Sequence, residues 1–384
     1  MAGIKDLAGV WKNIKEIDLR PFSMEAQRGV HIALLGAQSS ELNNLADQMR
    51  GDPSRPDVWQ HSPLLVVDLQ AEGDMEARLK QADQADLLIL LKGSQPESQV
   101  FSPVAVLDWL AASKAPQVVV HIPAQGEDWQ ADLPVRNANW SRQRVLSGSL
   151  DALGFMMGVF VPAVLDLLPD RHLALGRHYP LFRVPIAQKL INDACLSNAA
   201  YSLSTGIAEI VPVFDLPLNI TDMVVLSKAQ AFLVYKLGLT LGFSTRWQDY
   251  LAEFGSVLGG GFLWRQIARQ LVGLIPAWGI IPKVAVAYAG TYVVGNVVLQ
   301  WYLTGRKVSK EQMRALYIEA FARGKSLARG MVSRVPRPRL KRVKQRSFPP
   351  PKGVQICSRC GKSSAADALF CQYCAAPLDQ GEAE

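Results

Sequence analysis

The chain is short of charge. Asp, Glu, Lys and Arg make up 20% of its 384 residues, where ordinary soluble domains carry about 25%. Intrinsically disordered chains need more charge and fewer apolar residues, so that class is excluded. With 29 Gly and 23 Pro, the glycine repeat of a collagen is missing too, and the mix does not suit a coiled coil. Cysteine is scarce. There are five, and four of them crowd the C-terminus, so a secreted disulfide framework is not expected. Residues 1–20 hold no apolar run of signal-peptide length and mix Lys5, Lys12 and Lys15 with Asp6, Glu16 and Asp18. These absences point to a reducing, cytoplasmic setting.

An even spread of positive charge is missing as well. The net charge is +7, but residues 306–346 hold 14 Lys and Arg against Glu311 and Glu319, a local +12. The remainder carries 27 basic against 32 acidic groups, or −5. The body is mildly acidic and one segment is basic, so a nucleic-acid-binding body is not implied.

What is present begins with alternation. Short apolar runs at Gly29–Leu35, Leu64–Leu69, Ala85–Lys92 and Gln117–Ile122, with a weaker one at Arg144–Gly148, are bounded by turn formers. Runs of this length and β-branched content suit strands buried on both faces. Helical stretches lie between them at Glu41–Arg50, Asp74–Ala82 and Pro103–Ser113. The pattern predicts an α/β fold, a doubly wound and mainly parallel sheet covered by helices.

The turn after the first strand is where a phosphate-binding loop would sit. Such a loop reads G-x-x-x-x-G-K-[ST]: glycines turn N–H groups toward phosphate, Lys neutralises charge, and the hydroxyl holds magnesium. Here the sequence is Gly36-Ala-Gln-Ser-Ser-Glu41-Leu42-Asn43. Glu41 places a carboxylate in the cradle, and Leu42 replaces the Lys.

The order and spacing of elements over 27–170 resembles an Era-like, translation-factor-related GTPase domain. The family's D-x-x-G appears as Asp68-Leu-Gln-Ala71, and its N-K-x-D position reads His121-Ile-Pro-Ala124. Its final S-A-x motif corresponds to Ser147-Gly148-Ser149, and Asp151–Leu168 matches the closing helix. Without the Lys and the base-reading Asp, hydrolysis loses its main electrostatic support. The resemblance therefore implies a degenerate domain, not an enzyme, with GTP an unlikely ligand. Gly36, Ser39 and Ser40 are the vestigial phosphate-loop residues. An unrelated doubly wound domain is the alternative.

The second half turns helical and apolar. Val184–Leu203 has helical spacing, Thr221–Lys236 forms a further run, and Trp247–Phe254 is amphipathic. From Gln270 to Gly305 the only charged side chain is Lys283, and the 22 residues Val284–Gly305 carry none. About 20 apolar residues span a bilayer. The stretch 270–305 is thus a candidate membrane hairpin, with the core of a soluble helical domain as the alternative. The basic residues directly after it suit an anionic cytoplasmic membrane face.

Gly259-Gly-Gly-Phe-Leu-Trp-Arg265, Ala268-Arg-Gln-Leu271, Gly273-Leu-Ile-Pro276 and Ala287-Tyr-Ala-Gly-Thr291 carry a second resemblance, with Asp222–Gln230 fitting an earlier segment. The region looks like the bacterial membrane-associated domain-of-unknown-function family 697, often found behind Era-like GTPase domains. This resemblance implies a bacterial inner-membrane location and supplies no mechanism.

The tail holds Cys357-Ser-Arg-Cys360-Gly361 and, ten residues further on, Cys371-Gln-Tyr-Cys374. Two C-x-x-C pairs supply four thiolates, a closed tetrahedral set for structural zinc with no open catalytic position. The segment resembles the short bacterial zinc-ribbon family. Val335–Lys352, with Pro336, Pro338 and Pro349–Pro351, reads as a stiff basic linker. Cys195 reads as a buried apolar residue.

The expected division is an N-terminal helical lead at 1–26, the degenerate GTPase-like α/β domain at 27–170, an all-α helical domain at 171–305 with the membrane hairpin at 270–305, a basic helix and Pro-rich linker at 306–352, a zinc ribbon at 353–378 and a tail at 379–384. The expected role is a membrane-associated pseudo-GTPase scaffold, its partners being membrane lipid and a protein docked on the ribbon. The rivals are a soluble nucleic-acid-binding protein using the basic segment and ribbon, and a divergent GTP-binding protein that retains nucleotide.

Overall fold

The computed structural model describes residues 18–71, 73–93, 103–122, 142–208, 218–250, 280–306, 308–334, 354–361, 363–365 and 378. The chain divides into two units, Met1–Val332 and Ser333–Glu384.

The first unit opens with helix α1 (Arg20–Gln27), strand β1 (Ile32–Gly36) and helix α2 (Ser39–Arg50). A small antiparallel hairpin follows, β2 (Gly51–Asp52) and β3 (Arg55–Trp59). Strand β4 (Leu64–Asp68), helix α3 (Met75–Ala82), strand β5 (Leu87–Lys92), helix α4 (Pro103–Ala112), strand β6 (Gln117–His121) and strand β7 (Gln143–Ser147) come next. Five strands form one sheet in the order β4-β1-β5-β6-β7, and every pairing in it is parallel. The architecture is α/β.

Period-two alternation explains why both faces of this sheet need cover. Ile32 and Leu34 of β1 face one way, with Leu87, Ile89, Val118 and Val120, against Leu42, Leu45 and Met49 of α2. Ala33 and Leu35 face the other way, with Leu88, Leu90 and Val119, against Leu79 of α3 and Leu110 of α4. All five β1 residues are buried. Each buried Leu or Ile contributes about 1.5–3 kcal/mol relative to exposure.

The first strand starts later than its apolar run. The backbone of Val30 and His31 is used otherwise: the Val30 carbonyl accepts the Tyr179 hydroxyl at 2.8 Å, and the His31 amide donates to Asp86 at 3.0 Å. The β2–β3 hairpin has no apolar alternation to announce it. It turns on Asp52, whose carboxylate accepts the Ser54 amide at 3.0 Å.

Helix α5 (Leu153–Leu167) carries a π-helical stretch at Met156–Phe160. A short 3-10 turn at Pro169–Arg171 leads into α6 (His172–His178), and the chain bends by 92° there. The long helices are α7 (Arg183–Ala208), α8 (Leu218–Thr240), α9 (Ile280–Thr304) and α10 (Lys310–Arg334). Of the amphipathic run at 247–254, residues 247–250 are helical and the rest lies outside the described residues. So do residues 270–279 of the expected hairpin.

The long helices pack through small residues. A Cβ on Gly295 of α9 would meet Ile191 of α7 at 2.7 Å, and one on Gly324 of α10 would meet the Ala285 Cα of α9 at 3.0 Å. Polar pairs also cross the α7–α9 seam. Asn198 donates to the Thr291 hydroxyl at 2.8 Å, both residues buried, and Gln188 donates to Asn296 at 3.2 Å. Gly305, with φ +67, ends α9, and its amide bonds to the Trp301 carbonyl at 2.7 Å.

The residues that follow α5 share the sheet's core. Leu175, Tyr179, Phe182 and Ile186 belong to the same apolar cluster as β1 and α2. Buried Asp52 meets Arg55 at 3.1 Å and Arg183, at the start of α7, at 3.8 Å. Burial pulls the Arg183 guanidinium below its ordinary value, against the pull of Asp52.

In the second unit, β8 (Val354–Ile356) and β9 (Ser363–Ala365) pair antiparallel.

Candidate functional site

A parallel sheet offers a binding crevice at the carboxyl ends of its strands, where the winding direction reverses. That point lies at β1, with β4 on one side and β5 on the other. Gly36 stands level with Asp68 of β4 and Leu91 of β5. The loop after β1 and the first turn of α2 supply Gln38, Ser39, Ser40 and Glu41.

Three sequence-selected residues meet here: Gly36, Ser39 and Asp68. The Ser39 hydroxyl donates to the Asp68 carboxylate. Asp68 also accepts the Gln70 amide at 2.8 Å. Ser40 is exposed on the first turn of α2. Arg78 of α3, which has no signal in the sequence, donates to the Asp68 carbonyl at 2.6 Å and the Ala71 carbonyl at 2.8 Å. It fixes the turn after β4.

Leu42 sits where a phosphate loop has Lys. Its side chain is fully buried. A Cβ on Gly36 would touch it at 3.2 Å, so Leu42 fills the space under the loop instead of reaching over it. Glu41 and Gln38 turn toward the end of β5: a Cβ on Gly93 would meet the Glu41 carboxylate at 2.8 Å and the Gln38 amide at 2.6 Å. Burial pushes the Glu41 carboxyl above its ordinary value. An acidic group therefore stands at the helix N-terminus that would otherwise attract an anion.

The far side of the crevice is also filled. Gly148, at the end of β7, lies under the Phe155 ring of α5, and a side chain there would strike it. Asn44 and Gln48 of α2 tie this region down, donating to Asp151 and to the Leu150 carbonyl, both at 3.0 Å. His121 ends β6 and is buried. The segments 94–102 and 123–141, which follow β5 and β6, lie outside the described residues. Pro123 and Ala124 of the expected base-reading position are among them.

A cleft of about 640 Å3 opens at the opposite, amino-terminal ends of β5, β6 and β7, beside Asp86, Pro116 and Arg142. Its wall carries the Arg171–Asp86 ion pair at 2.9 Å. Its charges are mixed and its position is remote from the crevice. The chemically distinctive side chains, Ser39, Glu41 and Asp68, converge at the crevice instead.

The cysteine motif is described over its first half. Cys357 is buried and Cys360 is exposed. The Gly361 amide donates to the Cys357 carbonyl at 2.9 Å with φ +71 at Gly361. Only glycine takes that conformation without strain. A C-x-x-C pair closed by such a turn, between β8 and β9, fits a thiolate–metal knuckle in donor type and spacing. Cys371 and Cys374 lie outside the described residues. Among the described residues no group of three or more His, Cys, Asp or Glu converges.

Cys195, on α7, is fully buried, and burial pushes its thiol up to about 12. It is inert packing. Among the described residues α9 is the one single helix long and apolar enough to cross a membrane, and 67% of its most apolar window is buried within the protein.

No family model matches the chain, and no curated protein matches it.

Proposed function

We propose that this protein is a membrane-associated, non-hydrolysing GTPase-like scaffold of the bacterial cytoplasmic face. The observation that carries the reading is buried Leu42 packed under Gly36, with the Glu41 carboxylate beside it over Gly93. A nucleotide γ-phosphate needs a cation and free N–H groups at that place. This chain supplies an apolar side chain and an acid. The strand order around β1 supports the GTPase-like part. Phe155 against Gly148 supports the absence of a bound base.

The membrane contact is assigned to 270–305 and the basic residues after it, which suit an anionic surface. Four thiolates, Cys357, Cys360, Cys371 and Cys374, would hold one structural zinc and make the tail a docking module. That metal supplies folding energy and no chemistry.

Two measurements test the reading. Titration of the purified chain with a fluorescent GTP analogue should show no saturable binding. GTP turnover that disappears on substituting the loop overturns the non-hydrolysing role. Membranes washed with alkaline carbonate should retain the chain.

The burial of α9 favours a second reading, a soluble body whose basic segment and ribbon bind nucleic acid. It predicts a wholly soluble chain, with nucleic-acid affinity falling steeply in log salt and lost on deleting 334–384.

A further inference from the structure

Helix α10 has two unlike sides. Met313, Tyr317, Ala320 and Ala328 are buried, and Gly324 between them lies against α9. On the other side Arg314, Ile318, Ala322 and Arg329 are exposed, and Lys325 is half-buried. Steps of three and four residues put these five in one row along the helix. Ile318, in the middle of the cations, is 56% exposed.

The charge of the row is not neutralised. The helix holds six basic and two acidic residues. Glu319 is spent on Arg323, off the row, and the Arg323 guanidinium also stands 5.7 Å from the Tyr292 ring of α9. Glu311 sits in the first turn, where its own backbone amide and the Ser309 hydroxyl bond its carboxylate. Among the described residues Arg314, Lys325 and Arg329 make no ion pair.

We infer that this row is the surface by which the chain rests on an anionic phospholipid bilayer, α10 lying flat and Ile318 entering the headgroup layer. The inference rests on the membrane-associated reading above and adds a contact that does not require 270–305 to insert. Charge complementarity picks out the occupant. Residues 306–346 carry a local +12 and the remainder −5, so an anionic surface attracts this side and repels the body. From Arg314 to Arg329 the row is about 22 Å long, enough to meet several headgroups. Ile318 separates lipid from nucleic acid. A headgroup layer takes an apolar tip while the cations meet phosphate. The phosphates of a duplex reward the cations alone.

The test is co-sedimentation of the purified full chain with two kinds of vesicle, phosphatidylcholine alone and phosphatidylcholine mixed with phosphatidylglycerol. The chain is expected to favour the anionic vesicles, and added salt to erode that preference. Each basic residue near such a surface is worth about fivefold in partitioning. Combining Arg314→Gln, Lys325→Gln and Arg329→Gln is therefore expected to lower the preference about a hundredfold, at an unchanged thermal midpoint. Ile318→Ser, which keeps every charge, is expected to weaken anionic-vesicle binding severalfold with the same salt dependence. The inference is overturned if the triple variant keeps the preference, because the basic linker at 335–352, left intact, then carries the contact. It is overturned equally if Ile318→Ser changes nothing, or if the chain binds a DNA duplex and neither vesicle. Equal binding to both vesicles overturns it and leaves the membrane-associated reading standing. Binding to neither removes both.

Discussion

At the scale of single residues, the crevice beside β1 is decided by two neighbours, Glu41 and Leu42. Leu42 is a core residue, so Leu42→Ala leaves a cavity and is expected to cost about 2–5 kcal/mol in urea unfolding. Leu42→Lys restores the phosphate-loop residue type, but its stem starts from a fully buried position. It is expected to destabilise the fold without conferring GTP binding, as nucleotide titration would show. Glu41 gives a pH signature. Its folded carboxyl lies above the ordinary carboxylate value because of burial. Between the unfolded and folded values the folded chain holds more protons, so stability falls as pH rises through that window. Glu41→Gln removes this penalty. The variant is expected to be the more stable at neutral pH, with the difference closing once Glu41 is protonated in both states. Thermal midpoints at several pH values check it. That Leu42, not Lys, follows Glu41 was legible in the sequence, because the phosphate-loop pattern fixes the position to compare. The inward turn of Leu42 and the lean of Glu41 toward Gly93 were not, because they depend on β5, some fifty residues away.

At the scale of elements, one junction ties the β2–β3 hairpin to the start of α7 and another joins two of the long helices. Asp52 of the β2–β3 hairpin is fully buried between Arg55 and Arg183. Removing the acid leaves two cations, one of them buried, without their counter-ion. Asp52→Ala is expected to cost about 3–5 kcal/mol, read as a lowered denaturant midpoint. The second junction is the close crossing of α9 and α10. Gly324→Val must displace Ala285 backbone and the Tyr288 side chain. Overpacking of this kind costs about 1–3 kcal/mol, to be read as a lower thermal midpoint. Strands and helices of the first half were legible within a few residues, since apolar runs and turn formers mark them. The hairpin was not, because Arg55–Trp59 is held by Asp52 and by bonds such as Gln60 to the Arg177 carbonyl at 3.1 Å. Local sequence does not encode a partner so far along the chain.

At the scale of the whole molecule, the two units answer to different forces. The first unit rests on buried apolar surface. Among its described residues the second has two three-residue strands, and on the proposed zinc reading its order depends on metal. Chelation with a strong zinc ligand is expected to release about one zinc per chain. It should leave the thermal transition of the first unit in place. Cys357→Ser should release the metal in the same way, as a colorimetric zinc assay would record. If 270–305 enters a bilayer, the chain stays in the carbonate-washed pellet. A helix serving as core leaves it in the supernatant.

The sequence by itself determined the α/β alternation, the apolar and basic character of the segments after it, and the absence of a Gly-Lys-Ser/Thr motif after the first strand. These are local properties, carried by residue type and spacing. Only the tertiary structure decided the strand order, the burial of Leu42 under Gly36, and the packing of Tyr179 and Arg183 against the sheet. Each depends on which distant segments meet. That choice is made by the burial of many faces at once, which no single stretch of sequence records.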